Sequence, residues 1–127
     1  MDLHYFTGKK LAFALIKNEK IIYQSKKQRL EPLLFCLKKY KRQMRGATVY
    51  DKVVGRAAAL LLAYGGVARV LAPLISRGGL AVLRRGGAVV EYQKIVKNIT
   101  NIKGDDLCPM ERLSQGKSVE EFQKLLR

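Results

Sequence analysis

The longest apolar stretch of the chain covers residues 53–63, where only Gly55 and Arg56 interrupt a run rich in alanine and leucine. Both residue types favour helix, and a helix that is apolar nearly all round is buried in a domain core. Gly65 follows the run and suits the left-handed conformation that commonly ends a helix. The pattern predicts a central buried helix over about residues 50–64, with Gly55 in its first turn.

Shorter apolar runs precede this helix. Residues 11–16 and 21–25 predict a β-hairpin around a turn at 17–20, since Asn18 tolerates the unusual backbone angles of tight turns. The first strand is so continuously apolar that we place it inside the sheet. Helical spacing then predicts a helix over residues 30–40. Its sheet-facing side would consist of Leu30, Leu33, Leu34, Leu37 and Tyr40.

The second half of the chain alternates strands and helices. Strands are predicted at 47–50, 67–72 and 88–92, with residues 73–76 crossing to a helix at 77–85. Such alternation is typical of parallel strands joined by right-handed crossovers. Together with the hairpin it predicts an α/β fold: one three-layer α/β/α domain with a mixed sheet of about five strands.

The end of the chain, from about residue 107 to 127, is predicted to be a helical tail of the same domain. Pro109 suits the first turn of a short helix. Ser118 and Glu121 form the capping-box pattern that opens another helix.

A net charge of +15, from 25 basic and 10 acidic residues, favours binding to anions such as phosphorylated ligands or nucleic acid. Part of this charge lies at the end of the helix predicted over 30–40. Cations stabilise a helix C-terminus through its dipole, which is one interpretation of the cluster. Non-specific nucleic-acid binding is the other, although aromatic residues do not interleave regularly with the basic ones. The cluster consists of Lys38, Lys39, Lys41, Arg42 and Arg45.

The cellular setting predicted from the sequence is the cytoplasm. No apolar run reaches the roughly 18 residues of a membrane span, and Asp2 and His4 break the apolar start that a signal peptide needs. Cys36 and Cys108 fit reduced thiols. Two cysteines and one histidine do not make a four-ligand zinc site, so we expect no metal and no cofactor.

Three motifs resemble an uncharacterised bacterial family of unknown function, DUF1893. They are residues 51–61 (Asp-Lys-Val-Val-Gly-Arg-Ala-Ala-Ala-Leu-Leu), residues 73–76 (Pro-Leu-Ile-Ser) and residues 108–111 (Cys-Pro-Met-Glu). The resemblance implies a cytidine-deaminase-like sheet with helices on both faces. It also suggests a homo-oligomer, because proteins of the deaminase fold commonly oligomerise.

The same comparison argues against deamination. A zinc deaminase has His or Cys, then Glu two residues later, at the start of one helix, and Pro-Cys-x-x-Cys at the start of the next. This chain has Gly55-Arg56-Ala57 at the first position and residues 73–76 near the second. The zinc ligands and the proton-shuttling glutamate are both absent, so the resemblance implies the fold without ordinary zinc-deaminase chemistry.

Two helix N-termini remain, and such termini attract anions. Gly55, Arg56 and Ser76 would line them. The main hypothesis is therefore a domain that binds a small anionic or nucleotide-like ligand at this position.

An enzyme of different chemistry is the alternative hypothesis. Cys108 precedes a proline at a predicted helix start, where the dipole favours the thiolate and lowers the pKa. Asp51, Lys52 or Glu111 would act beside it. An idle thiol whose neighbouring proline merely starts the helix explains the same residues. Nucleic-acid binding by the basic cluster is the third hypothesis.

Overall fold

The computed structural model of the chain describes residues 1–27, 30–100 and 109–126. It opens with a short helix, α1 (Leu3–Thr7), whose first turn is capped by the Asp2 carboxylate accepting from the Tyr5 N–H. The sequence patterns did not predict this helix, which has only five residues. Helix α1 matters for the site because it covers one face of the sheet.

The predicted hairpin is present as β1 (Phe13–Lys17) and β2 (Lys20–Ser25). Asn18 and Glu19 form its turn with φ angles of 52° and 61°. Two consecutive left-handed residues give the twist that matches paired strands. Strand β1 pairs with β2 on one side and with the next strand on the other, which confirms its interior position.

Helix α2 (Glu31–Lys39) and the single turn α3 (Lys41–Met44) follow. The predicted inner face of α2 was partly wrong, because Leu34 is 38% exposed. The buried face instead runs through Pro32, Leu33 and Cys36. Leu34 lies about 100° further around the helix from Leu33, on the side away from Pro32, and is therefore outside this face.

The central segment divides into β3 (Thr48–Asp51), β4 (Val53–Val54) and α4 (Arg56–Gly65). The prediction of a helix already running at residue 53 was wrong. β-Branched valines favour strands, and Val53 and Val54 pair with the neighbouring strand. Gly55 is consequently the N-cap of α4 rather than a residue of its first turn.

The remaining elements are β5 (Arg69–Ser76), α5 (Arg77–Arg85) and β6 (Val89–Val96). Both strands are longer than predicted. Strand β5 continues through Pro73, which has no partner in either ladder, so its missing N–H breaks no ladder bond. Helices α6 (Pro109–Ser114) and α7 (Val119–Leu125) form the tail. Helix α7 has the predicted capping box between Ser118 and Glu121.

In the described residues the sheet has six strands. Strands β3 and β4 follow one another along one side of β5, and β6 pairs with its other side. Strands β3, β4 and β6 are parallel to β5, while β1 is antiparallel to β2 and β3. This arrangement confirms the mixed sheet and the parallel crossovers expected from the alternating pattern.

Helices cover both faces of the sheet. The larger core joins the sheet to α2, α4, α5 and α7, with Leu62, Leu83 and Phe122 fully buried. The smaller core lies under α1, where Phe6 stacks on Tyr50 at a centroid distance of 5.0 Å. The three-layer α/β/α prediction is therefore confirmed. Within the described residues, no helix is long and apolar enough to span a bilayer.

Candidate anion-binding sites

The N-terminus of α4 holds a carboxylate that belongs to the chain itself. The Arg56 N–H donates to Glu111 Oε2 at 2.9 Å, and the Ala57 N–H donates to Glu111 Oε1 at 2.8 Å. These N–H groups have no partner inside the helix, and the helix dipole favours negative charge beside them. Glu111 is only 4% exposed, so the carboxylate fills this position and shields it from solvent.

Gly55 makes room for that carboxylate. A Cβ at residue 55 would lie 2.3 Å from Glu111 Oε1 and 2.5 Å from its Cδ. The backbone of Gly55 is extended, with φ −94° and ψ −173°, so its conformation is open to any residue. Glycine is therefore needed for the close approach of Glu111 and not for the backbone angle.

Arg56 fastens the rest of the tail to the same helix. Its Nε donates to the Ser114 carbonyl at 3.2 Å, and its Nη2 donates to the Lys117 carbonyl at 2.8 Å. These carbonyls end α6 and follow it, and cations are favourable at such helix ends. Glu111 and Arg56 thus form a reciprocal clasp between the start of α4 and the tail.

The N-terminus of α5 lies beside this clasp and is capped internally. Ser76 Oγ accepts from the Gly79 N–H at 3.0 Å. A Cβ on Gly79 would be 2.9 Å from the Gly55 carbonyl oxygen, which shows how closely the two helix starts approach. Gly55, Arg56 and Ser76 are therefore brought together as the sequence led us to expect. A ligand at this position would have to displace Glu111.

Asp51 ends β3 and is the second buried carboxylate of this region, with 5% of its surface exposed. Its Oδ2 has no hydrogen-bond partner among the residues that the structure describes. Burial raises the pKa of Asp51 well above its ordinary value, and the backbone N–H of Val53 offsets only part of that effect. Asp51 is therefore a buried acid that favours its protonated form.

Lys52 is exposed and lines an open cavity of about 350 Å³ beside α1. Three further lysines line this cavity together with polar and apolar groups. Among the residues that the structure describes, none of those lining the cavity is acidic. The lining residues are Thr7, Lys9, Lys10, Leu11, Ala12, Lys26, Tyr50, Lys52, Pro73 and Gln93.

Among the residues that line this lysine cavity, only Lys52 was a candidate site residue from the sequence. Its lysines come from the segment after α1, the segment after β2 and the link between β3 and β4. The segments after α1 and β2 are basic, but no local pattern relates them to each other or to Lys52. No local sequence pattern indicates this cavity, because the three segments meet only through the β2-β1-β3 strand order and the position of α1.

The other candidate residues are separate from both positions. Lys38, Lys39, Lys41, Arg42 and Arg45 are all exposed on α2, α3 and the residue that follows. Cys108 lies outside the described residues, so the chemistry assigned to it stays a prediction. Cys36 is fully buried, and burial raises the pKa of its thiol to about 12, which makes it an unreactive core residue.

Metal-binding side chains do not gather in the described part of the chain: it contains no group of three or more His, Cys, Asp and Glu residues that could hold a metal ion. His4 lies on α1 and is exposed. The sequence pattern of zinc deaminases would place a zinc ligand and a proton-shuttling glutamate at the start of α4. The Glu111 carboxylate lies at that helix start instead.

The model of a domain of unknown function, DUF1893 (TM1506), matches residues 3–127. The chain belongs to the DUF1893 family. A crystal structure of a DUF1893 family protein (TM1506) from Thermotoga maritima superimposes with a TM-score of 0.86 at 26% identity. That match covers 98% of this chain and 84% of the other, so nearly the whole fold is shared.

A more distant likeness extends to RibD of Acinetobacter baumannii. Its two crystal forms match with TM-scores of 0.52 and 0.53 at 20% identity, over 65% of this chain and 28% of RibD. At this identity the likeness concerns the fold alone, and it supports the deaminase-like architecture. No curated protein matches the sequence.

Proposed function

We propose that this DUF1893 protein binds a small anionic, phosphate-bearing ligand in the lysine cavity beside α1. The observation that carries the proposal is the convergence of Lys9, Lys10, Lys26 and Lys52 around one cavity whose described lining residues include no acid. Lysine ammonium groups are common phosphate ligands. A volume of about 350 Å³ suits a small metabolite or a mononucleotide.

No ion pair within the described part of the chain neutralises the charge of the cavity. Among the described residues, none of the four lysines forms an ion pair. Lys9 does lie over the Tyr5 ring, at 4.6 Å from its centroid, a contact that leaves the ammonium charge in place. Four like charges around one concavity repel one another, and a bound anion would relieve that repulsion.

The lining also offers groups that would orient a ligand. Thr7 and Gln93 are polar residues of the lining, and Leu11 and Pro73 are apolar ones. A few polar groups on an otherwise apolar wall are the usual basis of small-molecule specificity. The start of α4 is the weaker location, because Glu111 already accepts from the Arg56 and Ala57 N–H groups there.

Calorimetric titration with pyrophosphate, AMP and ADP tests the proposal. Lys52→Gln should weaken binding of the best probe about tenfold, since one charge-assisted contact is lost. The matched control is Lys97→Gln, which removes the same charge from an exposed residue outside the cavity. Equal affinities of the two variants, or no binding by the wild type, would overturn the proposal.

A further inference from the structure

The exposed side of α2 and α3 combines charge with apolar surface. Between residues 38 and 45 the chain has five cations and no acid. None of these cations forms an ion pair with any acid in the described residues. We call this region, with the aromatic rings described next, the α2–α3 surface.

Three aromatic rings lie beside these cations. Phe35 is 41% exposed and packs on Tyr23, with ring centroids 5.0 Å apart and an interplanar angle of 31°. Tyr40 completes the group at 6.0 Å from Tyr23 and 6.1 Å from Phe35. Leu34, 38% exposed, extends the apolar surface along the same helix. The structure therefore supplies the interleaving of rings and cations that the linear sequence lacked.

Individual cations lie directly over the rings. Lys39 Nζ is 5.6 Å from the centroid of Phe35 and 5.5 Å from that of Tyr40. Lys41 Nζ is 4.7 Å from the Tyr64 centroid and donates to the Tyr64 hydroxyl at 3.0 Å. The helix dipole accounts for cations at the end of α2. It does not account for exposed Phe35 and Leu34 next to them.

We propose that the α2–α3 surface binds single-stranded nucleic acid. Phe35 would stack on a base, and Lys38, Lys39 and Arg42 would contact flanking phosphates. Proteins that bind single strands without sequence preference combine these two elements, a basic track and accessible rings. A duplex hides its base faces, so the exposed ring favours a single strand. A second copy of the chain is disfavoured because equal clusters of cations would face each other.

The first test compares two triple variants with the same net charge. The test variant is Lys38→Gln/Lys39→Gln/Arg42→Gln. The control is Arg84→Gln/Lys94→Gln/Lys97→Gln, whose exposed residues lie on α5, on β6 and just beyond β6, at the opposite edge of the sheet. Binding of a fluorescent oligo(dT) of about 12 nucleotides is followed by anisotropy as salt is varied.

The test variant should bind about 100-fold more weakly near 0.15 M salt, and its log–log salt slope should be less steep by about 2, as expected for three lost phosphate contacts. The control should keep most of the affinity and the slope. Equal losses in both variants would show that only overall charge matters and would overturn the proposal.

A second variant isolates the ring. Phe35→Leu should weaken binding of the single strand about tenfold without changing the salt slope, because stacking is lost and no charge is removed. Thermal unfolding of each variant verifies that it is folded. Three results would each contradict the assignment. The first is that Phe35→Leu binds the single strand as tightly as the wild type. The others are that a duplex binds as tightly as the single strand, or that anionic vesicles bind more tightly than either.

Discussion

One carboxylate is buried at the start of α4 and another at the end of β3, and the two differ in their hydrogen bonding. Glu111 and Asp51 are almost equally buried, at 4% and 5% exposed. Both oxygens of Glu111 accept from backbone N–H groups. One oxygen of Asp51 has no partner in the described residues. Equal burial therefore does not give the two side chains the same role. Both Glu111 oxygens are hydrogen-bonded and link the tail to α4, whereas Asp51 is buried with one oxygen unpartnered among the described residues and favours its protonated form.

The comparison also separates two kinds of anion site. At α4 the anion comes from the chain, so the position contributes to stability. At the lysine cavity none of the described lining residues is acidic, and the proposed anion would come from solution. The predictions below change one of the two carboxylates or its surroundings.

The largest effect is expected from Gly55→Ala, which places a Cβ where the Glu111 carboxylate lies. The free energy of unfolding should fall by about 3 kcal/mol, because displacing the carboxylate loses two charge-assisted hydrogen bonds and adds strain. Urea unfolding measures this change. In a Glu111→Ala background the same substitution should cost only about 1 kcal/mol, the ordinary difference between Gly and Ala at an N-cap. If the effects of Gly55→Ala and Glu111→Ala on the free energy of unfolding were additive, this would contradict a direct contact between the two residues.

A smaller effect is expected from Glu111→Gln. An amide has one acceptor oxygen and brings an NH₂ group toward a backbone N–H, so unfolding should be easier by about 2 kcal/mol. Limited proteolysis should cut the tail of this variant faster than that of the wild type. Glu120→Gln, at an exposed position of α7, is the matched control and should change neither measurement. An unchanged cleavage rate in Glu111→Gln would show that the clasp does not hold the tail.

The smallest expected change concerns Asp51→Asn and is a change in how the free energy of unfolding depends on pH. The raised pKa of Asp51 means that the folded state binds this proton more tightly than the unfolded state. The resulting stability is fully present below the unfolded pKa of about 3.9 and is lost as the pH rises through the folded pKa. Subtracting the unfolding free energies of Asp51→Asn from those of the wild type should give a difference that declines with pH. A difference independent of pH would show that Asp51 does not titrate in this way.

Much of this fold could be predicted locally. The hairpin at Asn18, helix α5 after Ser76 and the capping box of α7 depend on residues close together in sequence, and each was predicted. The start of α4 could not be placed in the same way. Val53 and Val54 belong to an apolar run that fits either a helix or a strand, and pairing with β5 decided between them.

The candidate sites show the same division. Gly55, Arg56 and Ser76 were predicted to meet, because parallel crossovers bring the starts of successive helices to one end of the sheet. The sequence also marked Glu111, as a residue that would act beside Cys108. It did not indicate that this glutamate would fill the helix terminus, since that contact joins residues 55 positions apart.

The sequence by itself determined the family, the α/β class, the absence of the zinc-deaminase motif and the strong positive charge. These features depend on residue identity and short-range spacing. Tertiary structure alone decided the occupant of the α4 terminus, the burial of Asp51, the lysine cavity and the grouping of Tyr23 with Phe35. Each of these requires segments distant in the chain to meet, and their meeting depends on strand order and helix packing that no local pattern encodes.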